Sequence, residues 1–154
     1  LESDVRVSHK DSPEVLALIE CKGSSKISSK GDKLFTLKRK VLEQADSEAQ
    51  ISGGIPAVWV HWKGSDYQNE DFVLIPYRLL DRLQRYFDAK HVPQIVRPVG
   101  NKTFTLSKNY LDGIIKVDQV PVFAKLEWED TAYMIMTSQK FIDIIRIEQE
   151  EYIK

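Results

Sequence analysis

Val15-Leu16-Ala17-Leu18-Ile19-Glu20-Cys21-Lys22-Gly23 is an apolar run that ends in a carboxylate, a thiol and an ammonium. A run of this length reads as a buried strand. A strand alternates its side chains between two faces, so Glu20 and Lys22 project to the same side. Upstream, Val5 and Val7 alternate with polar neighbours, and His9–Pro13 is rich in turn formers. The two segments predict a hairpin centred near Asp11, with paired residue numbers adding to about 22. On that register Val5, Val7, Val15, Ala17, Ile19 and Cys21 share the face expected to meet the core. Asp4, Arg6, Leu16, Leu18, Glu20 and Lys22 share the other, with Asp4 opposite Leu18 and diagonal to Glu20.

Downstream, Gly23–Asp32 is a Ser/Gly/Lys loop. The spacing of Leu34, Leu37, Val41, Ala45 and Ala49 predicts a helix over Lys33–Gln50, with Asp32 as its N-cap and Gly53–Gly54 as its stop. Strands are expected at Ala57–Trp62 and Phe72–Ile75, and a helix near Arg78–Phe87 behind Pro76. Beyond Pro98 the pattern predicts a short strand at Thr103–Leu106 and a Ser107-capped helix to Ile115. A hairpin over Val120–Trp128 and Thr131–Thr137 follows, then a last helix capped by Thr137 or Ser138 with the stripe Phe141, Ile142, Ile145 and Tyr152. The expected class is α/β (α+β), a mixed β-sheet flanked by helices. Residues 1–98 are expected to form the core, and residues 99–154 a C-terminal hairpin-plus-helix extension packed on it or used in dimerisation.

The 154 residues, 42% hydrophobic and 29% charged, suffice for a packed domain. The net charge of -1 excludes a uniformly basic histone-like or membrane-coating protein. It hides an asymmetry, because positions 22–40 alone carry a net +6. With one cysteine there is no disulfide framework, so a reducing, cytoplasmic setting is expected, nucleoid-associated or phage-encoded. No apolar run reaches the ~18 residues a membrane span needs. The chain opens at Leu1 rather than Met, so a preceding segment is expected.

Two carboxylates converging as Asp4 and Glu20 are expected to do repel each other unless a divalent cation lies between them. Hard oxygen ligands suit Mg²⁺ or Mn²⁺. An ammonium two residues from a ligating carboxylate can orient or help deprotonate an attacking water and offset phosphate charge. Those are the parts needed to hydrolyse a phosphodiester. The plainer reading is a solvated Glu-x-Lys pair worth little. Against it stand the apolar strand that the pair terminates, Asp4 on the same expected face, and the Lys-rich loop that follows. That loop and the helix expected after it are to track a phosphate backbone through Lys26, Lys30, Lys33 and Lys38.

With Asp4 in Ser-Asp-Val-Arg-Val, Glu20 and Lys22 in Ile-Glu-Cys-Lys-Gly, and the helix and Gly-Gly-Ile-Pro-Ala-Val-Trp-Val strand behind them, the chain resembles the PD-(D/E)xK nuclease superfamily. It looks closest to phage and archaeal Holliday-junction-resolvase-like endonucleases. The resemblance covers roughly residues 1–90. It implies a restriction-endonuclease-like fold and a Mg²⁺- or Mn²⁺-dependent DNA endonuclease. Asp4, Glu20 and the backbone carbonyl of Cys21 would hold the metal, and Lys22 would be the catalytic lysine. Ser3 departs from the Pro that many members carry there. Only Glu2 lies upstream, where many members add an acidic helix. Gln44 is followed four positions later by Glu48 rather than by the Tyr of one exonuclease branch, so that variant is not assigned. A branched or structured substrate is expected, since no base-reading helix is identifiable. The alternatives are a non-catalytic DNA-binding or assembly module with the same fold, or a nuclease subunit whose C-terminal half docks another protein.

The smaller candidates read as structural. His9, His61 and His91 lack ligand spacing and suit turns or the surface. Trp59, Trp62 and Trp128 suit packing, and Trp62 and Tyr67 flank a polar loop with room for an unpaired base to stack. Cys21 has no histidine partner for a thiol nucleophile.

Overall fold

The computed structural model describes residues 5–88, 92–97, 100, 102–115 and 123–151. Asp4, His91 and Tyr152 lie outside them. The first strand, β1 (Val5–Ser8), turns back into β2 (Val15–Ser24), and a short β3 (Leu34–Lys38) leads into α1 (Arg39–Ser52). Next come β4 (Ile55–Trp62) and β5 (Phe72–Pro76), followed by a broken helical segment over Tyr77–Tyr86 whose α-helical part is α2 (Leu80–Leu83). The remainder is β6 (Gln94–Arg97), β7 (Thr103–Ser107), α3 (Lys108–Ile115), β8 (Ala124–Trp128), β9 (Thr131–Thr137) and α4 (Ser138–Glu151).

Seven strands form one mixed sheet in the order β1-β2-β4-β5-β9-β8-β6, and β3 pairs with β7 in a separate two-stranded ribbon. β2 and β4 run parallel, with the crossover between them carried by β3 and α1. The class is therefore the expected mixed α/β. Strands from both halves of the chain share the main sheet, because β9 pairs with β5 along Phe72–Pro76. The ribbon also joins distant segments, with Phe35 opposite Leu106 and Leu37 opposite Phe104.

The hairpin register differs from the expected one. Val5 pairs with Ile19 and Arg6 with Leu18, so partner numbers add to 24 rather than about 22. Two local features account for this. The turn closes between the His9 N–H and the Glu14 carbonyl at 3.0 Å, with Asp11 at φ 58°, and a bulge follows at Val7/Ser8. The slip is even, so Val5 and Val7 still share a face with Ala17 and Ile19.

Both faces of β2 are buried from Val15 to Ile19, not one. The strand is interior to the sheet, with α1 on one side and α4 on the other. Ala17 and Ile19 join the layer of Ile55, Ala57, Val73 and Phe141, whereas Leu18 meets Ala49 of α1. Cys21, expected toward the core, is exposed and lies past that layer. At the sheet edge, Val5 keeps 43% of its surface exposed.

The helix expected from Lys33 begins instead at Arg39. Leu34–Lys38 alternates buried Phe35 and Leu37 with exposed Thr36 and Lys38, the period of a strand. Asp32 consequently caps no α1 turn. Its carboxylate accepts the Asn109 N–H at 3.2 Å and the Ser107 hydroxyl instead. The other expected caps form. Ser107 Oγ accepts the Tyr110 N–H and Thr137 Oγ1 the Lys140 N–H, each at 3.2 Å. Gly53 stops α1 at φ 84°, its N–H donating to the Ala49 carbonyl. No helix among the described residues is long and apolar enough to cross a membrane.

Candidate functional site

β2 carries its charges beyond its buried length. Glu20 stands opposite Val58 and Lys22 opposite Val60, and both valines belong to the layer under α1 and the β3–β7 ribbon. Paired positions share a face, so Glu20 and Lys22 lie on that side and Cys21, opposite Trp59, on the other. The Lys22 ammonium is 3.3 Å from Oε1 of Glu20, with side-chain exposures of 39% and 23%. An ion pair this open is weak, which leaves the carboxylate able to take another cation. Glu20 supplies the hard oxygen that a small divalent cation prefers. Its expected co-ligand, Asp4, is outside the described residues. Among the described residues, no three His, Cys, Asp or Glu side chains gather as a metal-binding group.

The lysines expected on phosphates are split between two places. Lys26 and Lys30 are exposed on the loop that leaves β2. Its path is set by the Lys26 N–H donating to Ser24 Oγ and the Leu34 N–H to the Lys26 carbonyl. Lys33 is half-buried and donates to Ser65 Oγ at 3.1 Å, tying this loop to the one after β4. Lys38 is at the far end of β3, where it lines a cavity of about 670 Å³ with Arg39, Lys40 and Lys102. Glu43 and Glu129 line the same cavity, and both pair with Arg39. Lys102 enters because its carbonyl accepts the Arg39 N–H at 2.9 Å, a long-range contact that chain spacing does not reveal.

Part of the last helix's acidity is neutralised within the fold, at Glu148 and Glu151. Glu148 pairs with Arg82 and Arg85 at 3.3 and 3.0 Å, and Arg85 also pairs with Glu151. Tyr86 donates to Glu148 at 2.8 Å, and burial together with that carboxylate pushes its phenol up to about 12.

A second polar cluster lies on the opposite face and was not expected. Asp71 is fully buried; it accepts the Trp59 Nε1–H at 2.8 Å and lies 2.8 and 3.0 Å from Nδ1 of His61. Burial raises its carboxyl above the usual value, against the pull of those two partners. His61 is thus no free surface histidine, and the signal was its place two residues after Trp59 on one strand face. Trp62 and Trp128 are buried as expected. Trp62 is consequently closed to a base, whereas Tyr67 stays 60% exposed. The chain matches no family model, no curated protein and no solved structure.

Proposed function

We propose that this chain is a metal-dependent DNA endonuclease of restriction-endonuclease-like fold, acting on branched or structured DNA. The supporting observation is the Glu20–Lys22 pair, 3.3 Å apart on one face, at the open end of an otherwise buried strand. The antiparallel β1–β2 hairpin, the crossover through β3 and α1, and the parallel β4 are compatible with the helix-strand continuation that the resemblance implies. Glu20, with Asp4 and the Cys21 carbonyl, would hold a Mg²⁺ or Mn²⁺ ion, which when bound supplies charge neutralisation at the phosphate and an acidified water. Lys22 would orient that water and offset the negative charge gathering on the phosphate, as an ammonium beside a carboxylate can. Exposed Lys26 and Lys30 neutralise the backbone on the side the β2 strand faces as it ends, and Lys33 holds the loop in place.

The test incubates the chain with labelled four-way junction, flap, linear duplex and single-stranded DNA, in Mg²⁺, Mn²⁺ or EDTA. Metal-dependent products that Glu20→Gln and Lys22→Ala abolish are the expected result. Undiminished cutting by both variants would sink the assignment. Salt-sensitive binding without products would point to a non-catalytic module.

A further inference from the structure

The face of β4 away from Glu20 and Lys22 carries a stacked ring pair anchored to a carboxylate. At its base is the buried Asp71 carboxylate, holding the Trp59 indole and the His61 imidazole by the hydrogen bonds described above. Tyr67 lies flat on His61, with ring centroids 3.6 Å apart and planes 4° from parallel. One face of the Tyr67 ring is covered by His61, and the side chain is 60% exposed. An aromatic ring so exposed contributes little to the core.

The loop that presents Tyr67 is braced on every side. Asp66 accepts the Gln68 N–H and the Asn69 side-chain amide, each at 2.9 Å, and its carbonyl accepts the Glu70 N–H at 2.8 Å. Ser138 donates its hydroxyl to the Gln68 carbonyl and its N–H to the Asp71 carbonyl, both at 2.9 Å. A ring held this way loses little conformational freedom when a ligand stacks on it.

We propose that Tyr67, backed by His61 and Asp71, is a stacking platform for an unpaired nucleobase. The ligand class rests on the nuclease reading above, and the placement favours one strand over two. His61 stands opposite Gly23, the residue after Lys22, and the Lys63 N–H donates to the Ser24 carbonyl at 2.8 Å. Adjacent strands lie about 4.8 Å apart. The platform and the Glu20–Lys22 pair therefore occupy the same end of the β2–β4 pair on opposite faces. The rim between them carries exposed Lys26 and Lys63. A single strand can bend over such a rim, its phosphates on the lysines and one base splayed onto Tyr67. A stacked duplex cannot. Base–aromatic stacking is indifferent to base identity, as expected for recognition of branch structure rather than sequence.

The test is made in EDTA with the full chain. The probe is a duplex bearing a tail of about twelve unpaired nucleotides, within the footprint of single-strand binders, with 2-aminopurine in the tail. A blunt duplex is the control. Tyr67→Leu, which still covers His61 but offers no ring, is expected to weaken tail binding about 5- to 150-fold and abolish 2-aminopurine quenching. Tyr67→Phe and Tyr67→Trp are expected to stay within about 2-fold of wild type. Blunt-duplex binding and the melting curve stay unchanged in all three. Wild-type tail affinity in Tyr67→Leu, or an equal loss on the blunt duplex, would overturn the platform. Glu20-dependent cutting with a neutral Tyr67→Leu would refute the platform and leave the nuclease. Tyr67-dependent tail binding without cutting would do the reverse. No DNA binding by wild type would overturn both.

Discussion

Oδ1 of Asp32 accepts the backbone N–H of Asn109 at 3.2 Å, closing a loop of 77 positions. The other carboxylate oxygen takes the Ser107 hydroxyl, and Ser107 Oγ in turn accepts the Tyr110 N–H. The start of α3 is thus capped twice, once by its own N-cap and once from the loop before β3. The Lys108 N–H adds a bond to the Lys33 carbonyl at 2.9 Å. A local capping signal in the sequence has become a long-range tie that holds the start of β3 to the β7–α3 junction.

Ser107→Ala and Asp32→Ala are each expected to cost about 1 kcal/mol, the usual worth of a cap. The two share one hydrogen bond, so the double variant should lose less than the sum. Urea denaturation of the four proteins measures this. Strict additivity would mean that the Asp32–Ser107 contact contributes nothing in solution.

At the candidate site the expectation is reversed: activity changes and stability does not. Lys22→Ala should lower metal-dependent cutting about 10²- to 10³-fold, the range for one lost charge-stabilising donor, and Glu20→Gln should abolish it by removing a metal ligand. Because the pair is partly exposed, unfolding free energy should move by about 0.5 kcal/mol or less. Lys22→Arg keeps the charge but replaces a compact ammonium by a wider, planar guanidinium that cannot take its place at the water. It should remain nearly as slow as Lys22→Ala in single-turnover cutting. Full activity in Lys22→Arg would restrict Lys22 to holding phosphate charge.

Much of this arrangement was legible in the chain because period two is a strong signal where one strand carries both apolar and charged residues. Glu20 and Lys22 had to share a face, and they do. The helix stop at Gly53 and the caps at Ser107 and Thr137 were local chemistry and survived. What failed was non-local. Leu34, Leu37 and Val41 satisfy a helical spacing while Phe35 and Leu37 satisfy a strand's, and the pairing with β7 decides between them. Cys21 was assigned to the core by alternation alone, but alternation does not say where the covering helix ends. The Asp71–His61–Trp59 cluster joins a strand to the residue that precedes the next one. Lys102 and Arg39 meet only through folding, and β6 offered just four residues of signal.

Gly54 illustrates a close approach rather than a special backbone angle. A Cβ there would meet Cγ1 of Val15 at 2.7 Å and the Ala17 backbone at 3.5 Å. Gly54→Ala is therefore expected to cost about 1–3 kcal/mol, as overpacking does. Val15→Ala in the same chain should recover part of the loss, because it removes the clashing methyl. Gly53→Ala acts differently, through φ 84°, and should cost about 1–2 kcal/mol that Val15→Ala does not relieve. Chemical denaturation of these variants separates the two mechanisms.

Asp71 makes the sharpest pH prediction. Burial raises its folded-state pKa above the 3.8 of a free side chain, more than the Trp59 and His61 hydrogen bonds lower it. The folded protein therefore binds the Asp71 proton more tightly than the unfolded chain does. Linkage then gives a stability contribution that is complete below the unfolded value and fades as pH rises through the folded one. As pH rises above the 3.8 of the free side chain, wild-type stability should fall relative to Asp71→Asn, which has no proton to lose. Asp71→Ala should be pH-insensitive at this position too, yet far less stable. It leaves the Trp59 Nε1–H and the His61 ring without their acceptor, at about 1–3 kcal/mol for each buried group. Parallel stability–pH curves for wild type and Asp71→Asn would mean that the carboxylate is as well solvated by its two partners as by water. The raised pKa would then have to be abandoned, although the hydrogen bonds would stand.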